Sequence, residues 1–163
     1  MSSEPVTSIE KGEFRAALGH FASGVVIVTG VHEGHPTGFT CQSFFSLSLD
    51  PPLVAMAPGK ASTSWPRVAE GGNLCANILA ADQESLARTF ANSGADKFAG
   101  VGWLAGPSGA PHLHGALVWI DCAIETVHDA GDHHLVVARV LGLEVGAGQP
   151  LLFYRAGFGG FAS

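Results

Sequence analysis

The chain has 163 residues and a formal charge of −6, with 13% charged residues beside 47% hydrophobic ones. That balance excludes a disordered polar chain and a broad basic surface for nucleic acid. The 22 Gly and 9 Pro exclude a helical bundle, because each interior Gly costs about 0.5–1 kcal/mol relative to Ala, and they point to a turn-rich, mostly β domain.

Residues 1–8 read as a flexible tail and 9–163 as one domain. From Ile9 to Ala22 the pattern is helical, with Phe14, Ala17, Leu18 and Phe21 on one face. Val25 to Thr29 is β-branched and reads as a buried strand. After the turn at His32–Pro36, Thr37 to Ser48 reads as a further strand that Asp50-Pro51-Pro52 must break. Leu53–Ala57 is a short apolar strand, and Ala61–Glu70 a short helix ended by Gly71-Gly72. Asn73–Leu79 is a strand, and Asp82 opens a helix to about Ala91 with Leu86 and Phe90 on one face. Residues 92–109 read as loop, Ala116–Val127 and His134–Val145 as long strands around the turn Ala130-Gly131-Asp132, and Leu151–Tyr154 as a closing strand. Antiparallel strands with peripheral helices describe a small barrel.

No secretory leader or membrane span is expected from the first residues or the dispersed apolar ones. Cys41, Cys75 and Cys122 are far apart with no Cys-x-x-Cys, and read as buried thiols of a cytoplasmic protein. His112 and His114 have chelating spacing on a strand but flank a Pro-Gly loop, and His133 and His134 point to opposite faces. No metal site is therefore expected. There is no Gly-x-Gly-x-x-Gly, Walker or Gly-x-Ser-x-Gly motif.

Two hydroxyl-rich stretches stand out. Thr37–Pro52 carries Thr40, Ser43 and Ser46 on an apolar strand, suited to a phosphate or heteroaromatic ring, or simply to water at an edge strand. Lys60 to Trp65 adds Ser62, Thr63 and Ser64 beside one cation at a helix start, either an anion site or an ordinary cap.

Several short motifs then occur in a family-like order from Phe14 to Tyr154: Phe21-Ala22-Ser23-Gly24-Val25, Gly38-Phe39-Thr40, Ser43-Phe44, Ser48-Leu49-Asp50-Pro51-Pro52, Ala76-Asn77-Ile78-Leu79, Lys97-Phe98 and Ala130-Gly131-Asp132-His133. In this the chain resembles the flavin reductase family with the FMN-binding split-barrel fold, the reductase components of two-component flavin monooxygenases. The resemblance implies a Greek-key, antiparallel split β-barrel, homodimeric, with flavin at the subunit interface. It implies flavin contacts from Thr37, Gly38, Thr40, Cys41, Ser43 and Ser46, from Lys60, Ser62, Thr63 and Ser64, and from Ala76, Asn77 and Ile78, with Lys60 or Lys97 near phosphate. It places Gly131, Asp132 and His133 at the pyridine nucleotide, His133 positioning the nicotinamide.

The activity so implied is NAD(P)H:flavin oxidoreduction. Hydride passes from nicotinamide to FMN or FAD, and reduced flavin diffuses to an oxygenase or halogenase. The scarcity of cations favours NADH over NADPH, with Arg67, Arg139 and Arg155 left unplaced. The alternatives are a split-barrel flavoprotein with tightly bound flavin acting on a small organic substrate, and a non-catalytic flavin-binding protein. His134 departs from the small or β-branched residue common after the Gly-Asp-His turn.

Overall fold

The computed structural model describes residues 8–94 and 96–162; of the expected tail only Ser8 lies within them. In chain order the elements are α1 (Lys11–Leu18), β1 (Ser23–Gly24), β2 (Val26–His32), β3 (His35–Cys41), β4 (Phe44–Leu49) and β5 (Pro52–Met56). Then come α2 (Trp65–Gly71), β6 (Asn73–Ile78), α3 (Glu84–Ala91), β7 (Trp103–Ala105) and β8 (Pro111–Leu113). The long strands β9 (Val118–Ala130) and β10 (His133–Val145) follow, with β11 (Leu151–Tyr154) and β12 (Gly157–Gly160) at the end.

Seven strands form one antiparallel sheet in the order β3-β2-β6-β9-β10-β5-β4, while β1, β11 and β12 make a small second sheet and β7 pairs β8. Consecutive strands β3 and β4 occupy opposite edges of the large sheet, joined only by Gln42 and Ser43. The sheet therefore curls into a barrel that is split between those edges. The expected single strand from Thr37 to Ser48 is two strands, because the chain leaves one edge and joins the other at this link.

β2 shows why so many apolar residues are needed. Side chains alternate across a strand, and both faces of β2 are covered. Val26 and Val28 face the barrel interior with Met56, Leu74, Ala76 and Val136. Val25 and Ile27 face outward onto Leu79, Ala87, Phe90 and Leu151. Trp65 and Val68 of α2 join the inner cluster, with Phe39 edge-on to Trp65 at 6.3 Å. Ala87 and Phe90 of α3 belong to the outer one, where Phe98 meets Phe90 edge-on at 4.9 Å. Gly38 on β3 permits this packing, since a Cβ there would sit 2.8 Å from the Val28 carbonyl and 3.2 Å from the Phe90 ring.

Three expectations are corrected. The expected helix from Ile9 to Ala22 is shorter and buries none of its residues; Phe14, Leu18 and the following Phe21 are exposed. Residues 92–109 are not all loop, because β7 folds back on β8 as a hairpin over β2 and β6. The long strands run further than expected, meeting across a turn of Gly131 and Asp132 with Gly131 at φ +65°.

Phe90 is fully buried, so Phe90→Ala should lower unfolding free energy by about 3–5 kcal/mol. Urea unfolding checks this; a loss under about 1 kcal/mol would mean that α3 does not seal the outer core.

Candidate functional site

A cavity of about 560 Å³ opens at the split, within the size range of small-molecule sites. Thr40, Cys41 and Ser43 line one wall, the Ser62–Ser64 turn another, and the end of α3 with Lys97 a third, while Gly59 and His133 form the rim. A second cavity of about 310 Å³, lined by Thr37, Gly38 and Arg67, shares Thr63, Ser64 and Lys97 with the first. The two make one continuous groove.

The wall at the link is stapled by one side chain. Ser43 Oγ donates to the Ala57 carbonyl and accepts from the Ala57 N–H, both at 3.1 Å. Thr40 Oγ1 donates to the Ala87 carbonyl at 2.6 Å, tying β3 to α3. Ser62 Oγ accepts from the Trp65 N–H at 3.1 Å and shapes the turn into α2. The Cys41 thiol stays protonated because burial pushes its pKa up.

Lys97 holds the groove together. Its ammonium donates to the Gly38 carbonyl, Ser64 Oγ and the Phe90 carbonyl, each at 3.1 Å. These three acceptors come from β3, the loop before α2 and α3. Partial burial lowers the Lys97 pKa. With its N–H groups engaged, the ammonium acts on a ligand through its field.

At the rim, His133 Nδ1 lies 2.7 Å from Asp132 Oδ1. That bond and the His133 charge hold the Asp132 carboxyl below the usual carboxylate range. Whenever the ring is neutral, the same hydrogen bond makes Nδ1 the protonated nitrogen and leaves Nε2 as an acceptor. A Cβ on Gly59 would sit 3.8 Å from that Nε2, so a glycine there keeps the space beside it clear. The turn is docked onto the rim by backbone bonds from Lys60 N to the Asp132 carbonyl and from His134 N to the Pro58 carbonyl, both 2.9 Å.

The structure thus gathers Thr40, Cys41, Ser43, Ser62, Thr63, Ser64, Lys97 and His133 in one cavity, with Thr37 and Gly38 in its extension. Gly131 and Asp132 stand at the exposed turn behind His133. The Lys60 ammonium turns to Asp129 at 3.4 Å. Ser46 lies exposed on β4 beyond the link. Ala76, Asn77 and Ile78 line neither cavity. Ala76 belongs to the inner core, with Ile78 packed against it. The Asn77 amide is a buried clasp: Nδ2 donates to the Ile27 carbonyl at 3.0 Å, and Oδ1 accepts from the Leu113 N–H at 2.9 Å.

Sequence reading missed Gln42, Pro58, Gly59, Asn92 and Ser93 as lining residues. Pro58-Gly59 directly after an apolar strand was the available signal. Sequence reading weighed His112 only with His114 and did not join it to Cys75 and Asp121, whose side chains meet it beneath the β7–β8 hairpin.

A flavin and a nicotinamide need a slot for flat rings, hydroxyl partners, positive potential for phosphate or ring charge, and a rim group for the second ring. The groove holds hydroxyls, one ammonium and a histidine at its rim in the residues just described.

Residues 18–162 match the family model described as the flavin reductase like domain. The reductase subunit HsaB of a flavin-dependent monooxygenase from Rhodococcus jostii is 46% identical over 154 residues, covering 94% of this chain and 79% of that protein. The crystal structure of nitrilotriacetate monooxygenase component B from Mycobacterium thermoresistibile superposes with a TM-score of 0.90 at 45% identity, covering 93% of this chain and 87% of that one. The NADH:FAD oxidoreductase SgcE6 of Streptomyces globisporus, in complex with NAD and FAD fragments, superposes at 0.89 with 35% identity, covering 98% of each chain.

Asn77→Ala should cost about 1–3 kcal/mol of stability, because the Leu113 N–H loses its partner inside the protein. Urea unfolding measures it. No loss of stability, together with weakened ligand binding, would move Asn77 from clasp to binding site.

Proposed function

The chain belongs to the flavin reductase like family, and we propose that it works as an NAD(P)H:flavin oxidoreductase supplying reduced FMN or FAD to a monooxygenase or halogenase. The observation that carries this reading is the groove at the split, where hydroxyls, the half-buried Lys97 ammonium and the Asp132-oriented His133 face one cavity.

Bound flavin supplies the hydride acceptor and NADH the donor, so the protein needs no covalent nucleophile. Its own work is positioning and electrostatics. The hydroxyls of the Ser62–Ser64 turn would meet the phosphate of the flavin, while Thr40 and Ser43, whose protons go to the Ala87 and Ala57 carbonyls, would shape the wall beside it. Lys97 lends positive potential where negative charge accumulates on reduction, in a groove partly shielded from water. His133 Nε2, an acceptor in the neutral ring, suits the carboxamide N–H of a nicotinamide and holds that ring against its partner. Asp132 acts through His133 by fixing its tautomer.

The working unit in this reading is a homodimer in the cytoplasm, and reduced flavin leaves it by diffusion. Support for the dimer comes from unpartnered apolar side chains. Phe14 and Leu18 on α1, Phe21, and Leu141, Leu143 and Val145 on β10 are all exposed, more apolar surface than one small domain usually leaves open. No helix among the described residues is long and apolar enough to cross a membrane.

Purified protein mixed with NADH or NADPH and free FMN or FAD should oxidise the nicotinamide only when flavin is present. Negligible turnover with every pairing sinks the reading. His133→Ala should raise the KM for the nicotinamide about tenfold, the worth of roughly 1.4 kcal/mol, while flavin affinity stays within about twofold. Equal losses for both would remove His133 from the nicotinamide. Light scattering should return twice the 16.8 kDa chain mass; a monomer at micromolar concentration rules out the dimer.

A further inference from the structure

Away from the groove, on the outer face of the sheet, the β7–β8 hairpin covers a second concentration of reactive side chains. Cys75 on β6, His112 on β8 and Asp121 on β9 bring a thiol, an imidazole nitrogen and a carboxylate oxygen within 4.8 Å of one another. Cys75 is fully buried and Asp121 nearly so. His112 Nε2 lies 2.7 Å from Asp121 Oδ2, and Ser108 bonds the other carboxylate oxygen through its N–H and its hydroxyl.

Asp121 is a buried carboxylate, and among the described residues no lysine or arginine pairs with it. An uncompensated buried carboxylate is expensive. The hydrogen bond between His112 and Asp121 engages one carboxylate oxygen and leaves the Cys75 sulfur outside the pair. A metal ion engages all three groups.

We propose that Cys75 Sγ, His112 Nε2 and Asp121 Oδ2 form a binding site for a late first-row divalent metal ion, with Zn²⁺ the best match. One sulfur, one nitrogen and one oxygen form a borderline-soft set of the kind Zn²⁺ takes at bond lengths of about 2.0–2.3 Å. Tetrahedral bonds of that length put the ligand atoms about 3.3–3.8 Å apart, so on binding the His112–Asp121 pair opens from 2.7 Å while the Cys75 sulfur stands within 4.8 Å of both. Three protein ligands leave a fourth position for water. His112 also lines an open groove of about 490 Å³ together with Trp119 and Glu144. Binding releases the Cys75 thiol proton to solvent, replaces the His112–Asp121 hydrogen bond with two metal bonds and transfers no electron. The ion would join β6, β8 and β9 and pin the hairpin to the barrel.

The full-length protein, stripped with a chelator and returned to buffer, is titrated with Co²⁺ and then with Zn²⁺ near neutral pH. The expected result is a near-ultraviolet thiolate-to-cobalt charge-transfer band that saturates at one ion per chain and is displaced by Zn²⁺. At least one proton should be released per Zn²⁺ bound. Cys75→Ser should abolish the band and weaken Zn²⁺ binding by about 100-fold, and Cys122→Ala and His114→Ala should leave both intact. No band or no proton release from the wild-type protein overturns the proposal, whether or not the Cys75 variant folds. So does a band that survives Cys75→Ser.

Discussion

Two residues, Gln42 and Ser43, join strands that stand at opposite edges of a seven-stranded sheet. Three peptide steps span at most about 11 Å, whereas the edges of a flat seven-stranded sheet lie six strand spacings, about 29 Å, apart. The sheet has to curl until its edges approach each other at the link, yet β3 and β4 do not pair. The result is a split barrel, with a cavity at the link lined by β3, Gln42, Ser43 and the residues after β5. Everything at the groove answers this constraint. Trp65 and Val68 fill the barrel beneath it, Ser43 satisfies the backbone at Ala57, and α3 covers β3.

Lys97 is the answer at the other wall. Its three hydrogen bonds reach elements far apart in sequence. A charge-assisted bond is about twice as strong as a neutral one, which helps one side chain hold three elements in register. The same ammonium that keeps the groove's shape gives it positive potential. The rim is built differently, from backbone. Residues 58–60 and the β9–β10 turn hydrogen-bond to each other, so the orientation of His133 rests on main-chain geometry.

Much of this was legible from residues close in sequence. The Ser62–Ser64 turn, the Gly131-Asp132 turn and the β-branched strand of Val25–Thr29 announce themselves within a few positions. The break at Gln42 and Ser43 did not, because period-two patterning continues through it and only the pairing partners differ on each side. The apolar face of α1 predicted burial, but periodicity says that a face needs covering and not what covers it. Asn77 was placed beside the ring by resemblance; the structure shows a side chain committed to Ile27 and Leu113. The Cys75, His112 and Asp121 cluster was illegible for the opposite reason. Its members lie on three strands: Cys75 and Asp121 are cross-strand partners on β6 and β9, and the hairpin brings His112 to them.

The three free thiols also bear on how such an enzyme survives its own chemistry. Reduced flavin that meets dioxygen before reaching its oxygenase returns to the oxidised form and leaves hydrogen peroxide behind. Peroxide attacks thiolates, not thiols. Cys41, Cys75 and Cys122 are all buried, and burial and the nearby Asp121 push Cys122 up to about 12. A metal-free chain of this kind presents almost no thiolate near neutral pH, and that protection extends to Cys41 although it lines the cavity.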